Sequence, residues 1–331
     1  MALSVRHAFF MLYGMAALSG CRLIDEDLRA CSTDYTLDYE LSIVTNITTE
    51  IQTALDVETD VNVAQALEEY LAPVFAPRAH DVDLSFYDVE SPMERLHHEY
   101  HIMDAGQTSY TLSIPVRNYM HLAVANLEDN PVVSLTGEGH YHTACLHQQD
   151  VDAVPSHKKG IYMARLAMDI HEGESQEFEV NLHMVNSAVA VVLDTLDSWV
   201  KGIQVFTSGM ATDFDLADST YRFERNTLVQ ANQVEAENPQ EVCYTAVSFP
   251  SRNTLVKAEE AVLWEVQLYI TLFDGSVTRA CLQMEEPLEP GALKVVKAKL
   301  SDQGIPTPNS ATVGVSVQLD WKPGMDFEPF L

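Results

Sequence analysis

The sequence predicts an all-β protein of two tandem β-sandwich domains, with one short helix in the first. Three observations carry this. Runs alternating apolar and polar residues recur along the chain, clusters of Gly, Pro, Asn and Asp separate them, and a single segment repeats its apolar residues at helical spacing. With 331 residues the chain is long enough for two cores.

The first element is the clearest of the N-terminal half. Residues 35–43 put Tyr35, Leu37, Tyr39, Leu41 and Ile43 on one face and Thr36, Asp38, Glu40 and Ser42 on the other, as in a half-buried strand. A helix follows over 60–72, where Val63, Leu67, Tyr70 and Leu71 share a face, Asp60 offers an N-cap and Pro73 a stop. Shorter strands are expected at 82–88, 109–114, 119–125 and 161–170. The chain turns polar over 148–160, which suggests a first domain at 35–150 and a second at 158–331. In the second, Phe178, Val180, Leu182 and Met184 alternate with Glu177, Glu179, Asn181 and His183, and further strands are expected at 188–193, 202–207, 242–248, 262–273 and 292–300. The last strand aligns Val313, Val315, Val317, Leu319 and Trp321 against Gly314, Ser316, Gln318 and Asp320.

Ahead of the first strand lies an export signal. An apolar run, Ala8 to Ala17, is too short to span a bilayer and ends in Leu18-Ser19-Gly20-Cys21, the pattern cut by a lipoprotein signal peptidase. Residues 1–20 are read as a signal peptide, Cys21 as the lipidated residue and 21–34 as a tether, so the membrane partner is the bilayer, through acyl chains. The whole chain carries a formal charge of −30; without residues 1–20 it has 18 basic and 49 acidic residues, 18 − 49 = −31. Such a surface repels nucleic acid, which is excluded as a partner. Asp25, Glu26 and Asp27 read equally as a solvated spacer or as a signal resembling the acidic one that sends Bacteroidetes lipoproteins to the cell surface.

Four cysteines remain, Cys31, Cys145, Cys243 and Cys281, with three full pairings open to them. Pairing within domains, Cys31–Cys145 and Cys243–Cys281, is the simplest, and four buried thiols are the alternative. The sequence contains no HExxH, GxSxG, Walker, CxxC or GxGxxG pattern, so no enzyme, cofactor or metal site is expected. His97, His98 and His101 surround Glu99, and His140 and His142 are spaced for one strand face, but no further ligand is implied and exposed positions are the favoured reading. Asp213, Asp215 and Asp218 lack the glycine and glutamate of a calcium loop and read as a turn.

The order of features resembles a known family. The lipobox followed by Leu23-Ile24-Asp25-Glu26-Asp27-Leu28-Arg29-Ala30-Cys31 and a long first strand is similar to the Bacteroidales fimbrial anchor lipoproteins of the FimB/Mfa type. Val82 to Asp88, Leu112 to Tyr119, Leu268 to Gly275 and Val315 to Trp321 continue that resemblance. It implies transthyretin-like Greek-key sandwiches, an outer-membrane, surface-exposed location, and a role holding the base of a fimbrium and limiting its length. The implied partner is the fimbrial shaft subunit, bound by strand exchange. Val313, Val315, Val317, Leu319 and Trp321 are then the candidate contact strand, or an internal strand of the second sandwich. A surface module that binds glycan or host protein is the alternative function.

Overall fold

The computed structural model describes residues 34–44, 61–76, 78–90, 92–102, 109–171, 176–194, 200–237, 241–253, 262–300, 306–308 and 316–320. They contain one α-helix, α1 (Val61–Val74), and 22 strands. In the first half these are β1 (Asp34–Val44), β2 (Asp81–Asp88), β3 (Arg95–Ile102), β4 (Ser109–Pro115), β5 (Asn118–Ala125), β6 (Val133–Thr136), β7 (Cys145–Gln148), β8 (Ala153–Pro155), β9 (Tyr162–Asp169) and β10 (Glu177–Met184). Then come β11 (Ser187–Asp194), β12 (Val200–Ser208), β13 (Asp213–Asp215), β14 (Thr220–Arg222), β15 (Leu228–Gln230) and β16 (Asn232–Val234). The last are β17 (Glu241–Ser248), β18 (Trp264–Leu272), β19 (Val277–Met284), β20 (Leu293–Leu300), β21 (Pro306–Pro308) and β22 (Ser316–Asp320).

Seven strands follow the order β3-β2-β5-β9-β10-β1-β4. β5 and β9 share eight register pairs, but β9 and β10 share only two, His183 with Met163 and Met184 with Tyr162. In a flat sheet β1 would lie three strands from β5, about 14 Å away. Tyr39 Oη on β1 is nevertheless 2.5 Å from His121 Nε2 on β5. The strands therefore fold over at the β9/β10 corner into two leaves, β3-β2-β5-β9 and β10-β1-β4. Leu37, Tyr39, Leu41, Leu84, Phe86, Tyr119, Val180 and Leu182 fill the space between them. This is the first sandwich.

The second pairs β16-β17-β11-β20-β21 with β22-β19-β18-β12-β15-β8. Its core holds Val189, Val191, Leu193, Val205, Trp264, Val266, Leu268, Leu282 and Val296. β11 is buried on both faces: Ala188, Ala190 and Val192 join the first core instead, which explains an apolar run with no polar alternation. Helix α1 buries Val63, Leu67 and Leu71 and packs against β16 and β17, with Asn232 Nδ2 donating to Tyr70 Oη at 3.1 Å. It runs one residue past Pro73, which sits in its last turn rather than stopping it. A small sheet, β14-β13-β7-β6, covers Tyr87, Leu122, Val124 and Met163 on the outer side of the first sandwich with Leu146 and Phe214.

Sheet pairing does not follow the polar stretch 148–160. β9 and β10 come after it, yet they complete the first sandwich, and the sheets divide between Met184 and Ser187. The stretch is exposed at Gln149 to Asp152 and at Lys158, but Gln148, Ser156 and His157 within it are buried, and its strand β8 joins the second sandwich. Its backbone is held by side chains: Asn130 Oδ1 accepts from the N–H groups of Lys158 and Lys159, and Asn186 Oδ1 from that of Ile161.

Candidate functional site

β1 is the first described element after the expected tether, residues 21–34. Cys21, Asp25, Glu26, Asp27 and Cys31 lie outside the described residues, and Asp34 follows Cys21 by 34 − 21 = 13 residues. β1 is an interior strand. It shares seven antiparallel pairs with β4, Asp34 opposite Pro115 to Glu40 opposite Ser109, and seven parallel pairs with β10, Asp38 opposite Glu177 to Val44 opposite His183. Its inward residues Leu37, Tyr39 and Leu41 are buried. Tyr39 also reaches across the core. His121 Nδ1 donates to the Ser85 carbonyl at 3.0 Å, which leaves Nε2 as the acceptor for the Tyr39 hydroxyl. Phe86 stacks on the imidazole at 4.3 Å. Burial pulls His121 down to about 4, so the ring is neutral and both its nitrogens are satisfied.

The candidate contact strand lies at the opposite kind of position. Among the described strands, β22 is outermost in its sheet and pairs with β19 alone, Val317 opposite Leu282 and Leu319 opposite Ala280. Val313, Val315 and Trp321 fall outside the described residues.

The Cys243–Cys281 bridge is not formed. Cys145, Cys243 and Cys281 are buried free thiols. Cys243 on β17 belongs to the first core, whereas on β19 the neighbours of Cys281, Ala280 and Leu282, fill the second core and turn it outward on the other sheet. The two sulfurs thus lie on opposite outer faces of the second sandwich, a direction of the Cβ vectors that no disulfide spans. Burial raises both thiols to about 12. Cys145 accepts from Arg222 Nη2 at 2.9 Å.

The histidines resolve into local pairs. On β3, Glu99 holds His97 on one carboxylate oxygen and His101 on the other, both at 2.8 Å, and His98 meets Asp83 at 2.7 Å. His140 precedes a 3-10 turn at Tyr141–Thr143 and His142 lies within it, so the two do not share a strand face. Asp213 is buried against His147 at 2.6 Å, and Asp215 accepts the backbone N–H groups of Ala217 and Asp218. The described residues also bring together His80, Asp81 and Glu128, donors of metal-ligand type that no sequence spacing marks. Asp81 is already committed there, accepting the N–H groups of Leu127 at 2.9 Å and Glu128 at 3.2 Å. Its carboxyl is raised by burial. A cleft of about 340 Å³ opens where β9 and β10 diverge, lined by Ala164, Arg165, Leu166, Glu179, Asn181 and His183. The large exposed aromatics of the described residues, Tyr100 and Phe273, belong to different sandwiches and form no platform. No described helix is long and apolar enough to cross a membrane.

No protein-family profile matches the sequence, and no curated protein matches it significantly. Solved structures do match. A candidate polysaccharide-binding protein from Bacteroides thetaiotaomicron is 10% identical, with a TM-score of 0.51 over 87% of this chain and 98% of that one. A candidate adhesin from the same species is 11% identical, with a TM-score of 0.51 over 86% of this chain and 96% of that one. The fimbrial anchor protein Mfa2 from Porphyromonas gingivalis is 8% identical, with a TM-score of 0.46 over 86% and 96%. At such identities the likeness is one of fold, and the two Bacteroides structures carry it. The chain has a distant similarity of fold to these candidate adhesin and polysaccharide-binding structures of Bacteroides.

Proposed function

We propose that this chain is a non-enzymatic outer-membrane lipoprotein that anchors the base of a fimbrium at the cell surface and limits its length. The observation that carries the reading is the position of β1. A tether lipidated at Cys21 enters a strand enclosed on both sides, so the strand cannot be exchanged for that of another subunit without breaking the sandwich. The membrane end of the fibre is thereby closed to further addition. The shaft subunit meets the other end, where the edge strand β22, with Val317 and Leu319, offers backbone hydrogen bonds to an added strand; Val313, Val315 and Trp321 complete the contact strand expected from the sequence. The domains we assign are a signal peptide, a short lipidated tether and two sandwiches, the first including β9 and β10.

Deleting the gene tests this reading. Fibres should become longer and be shed into the medium; normal length and attachment would sink it. Cys21→Ser should move the protein from the membrane to the soluble fraction, because acyl chains are what hold a soluble domain there. Replacing Asp25, Glu26 and Asp27 by Ala should keep lipidation but reduce cleavage by external protease, and unchanged cleavage would reduce these acids to a spacer.

A further inference from the structure

We infer that β1 and β10 form a mechanical clamp, loaded in shear, that keeps a pulled fibre joined to its tether. The physiological load rests on the anchoring reading, since tension arises only if the chain is fixed at Cys21 and drawn from beyond the second sandwich. The geometry stands by itself. The tether enters β1 at Asp34, and the chain leaves the first sandwich at Met184, with two residues between it and β11, which begins the second. β1 and β10 run parallel, from Asp38 opposite Glu177 to Val44 opposite His183. The entry end of β1 and the exit end of β10 therefore lie at opposite poles. Tension between tether and second sandwich pulls two neighbouring strands past each other along their axes.

Strand hydrogen bonds lie across that direction, so all of them resist together; in an antiparallel pair, entry and exit would share a pole and the bonds would break singly, in succession. Seven pairs with β4 on the other side of β1 add to the same resistance. Sliding is opposed as well. A slip of one residue would turn Asp38 and Glu40 into the core in place of Leu37, Tyr39 and Leu41. Across the core, the bond from Tyr39 to His121 ties β1 to the facing leaf.

Single-molecule pulling on the purified chain, without its signal peptide and with Cys21→Ser, tests the clamp. One pair of handles is fixed at the N-terminus and the C-terminus. In the other the second handle moves to position 118, next to Pro115 and so at the pole where β1 begins. The first sandwich should open at a several-fold higher force end to end than when peeled from position 118, because forced opening follows the unfolding rate along the loaded path. Equal forces, or a lower end-to-end force, would overturn the inference. Tyr39→Phe keeps the ring and removes its donated proton, so the end-to-end force should fall; an undiminished force would overturn the role given to Tyr39. A failed clamp leaves the deletion phenotype untouched, and a failed phenotype leaves the forces untouched, so the two readings fail separately.

Discussion

β1 and the strand near the C-terminus look alike in sequence and occupy opposite places. In each the sequence alternates five apolar residues with polar ones, Tyr35 to Ile43 in the first and Val313 to Trp321 in the second. β1 has a partner on either side, while β22 has β19 alone among the described strands. Alternation reports that one face of a strand is covered. It carries nothing about the two edges, and the edges decide what can be added or exchanged.

The widest separation between the two strands should appear on truncation. Tyr39→Ala removes a fully buried ring and strands the acceptor Nε2 of His121, and it should cost about 3–5 kcal/mol, as for other aromatic truncations in a core. Gln318→Ala at the edge should stay within about 0.5 kcal/mol. Urea unfolding of both variants checks this, and similar losses would erase the distinction.

Acid should act on the β1 side next. His121 is neutral when folded and titrates near 4, while an unfolded imidazole titrates near 6.5. As pH falls through that window the unfolded chain takes the proton first, so stability present above 6.5 is progressively lost. At about 1.4 kcal/mol per pH unit the loss from His121 is about 3 kcal/mol by pH 4. His157, pulled down to about 3 by burial, acts in the same direction. Urea midpoints at pH 7 and 4.5 should differ less in His121→Gln than in the parent; an equal difference would remove His121 from the explanation.

A smaller effect is expected on the β22 side. Gly275, in the turn joining β18 to β19, has φ +88° and open space around its missing Cβ. Gly275→Ala should therefore cost only the backbone strain, about 1–2 kcal/mol, read as a shift in thermal midpoint. Reductant should change least of all. With Cys145, Cys243 and Cys281 free, it should leave the unfolding midpoint in place, whereas a fall of about 3 kcal/mol would reveal a bridge.

Strands with one buried face were legible in the sequence. The reading at 35–43 became Asp34–Val44, that at 119–125 became Asn118–Ala125, and the alternation from Glu177 to Met184 became β10 residue for residue. β3 was not, because its inward residues Arg95, His97, Glu99 and His101 are polar and half-buried, so its histidines suggested ligands before they suggested a strand. β19 hides for the opposite reason: Ala280, Cys281 and Leu282 are buried in succession and no alternation remains. Pairing left no trace at all. Nothing near Asp38 points to Glu177, and nothing in the run Asn118 to Ala125 marks His121 as the partner of Tyr39, 82 residues earlier.

That distance governs how the protein is born. β1 is synthesised first, but its parallel partner follows 177 − 38 = 139 residues later, and the first sandwich cannot close until β10 has been made. Through that interval β1 can pair with β4 and face β2, β3 and β5, but its other edge has no partner. Closing so long a loop is slow, and an open strand edge is exposed to aggregation while it waits. Chains that stall before residue 177 should therefore accumulate as aggregates or chaperone-bound clients, and those that stall just past residue 184 should be the first to resist protease.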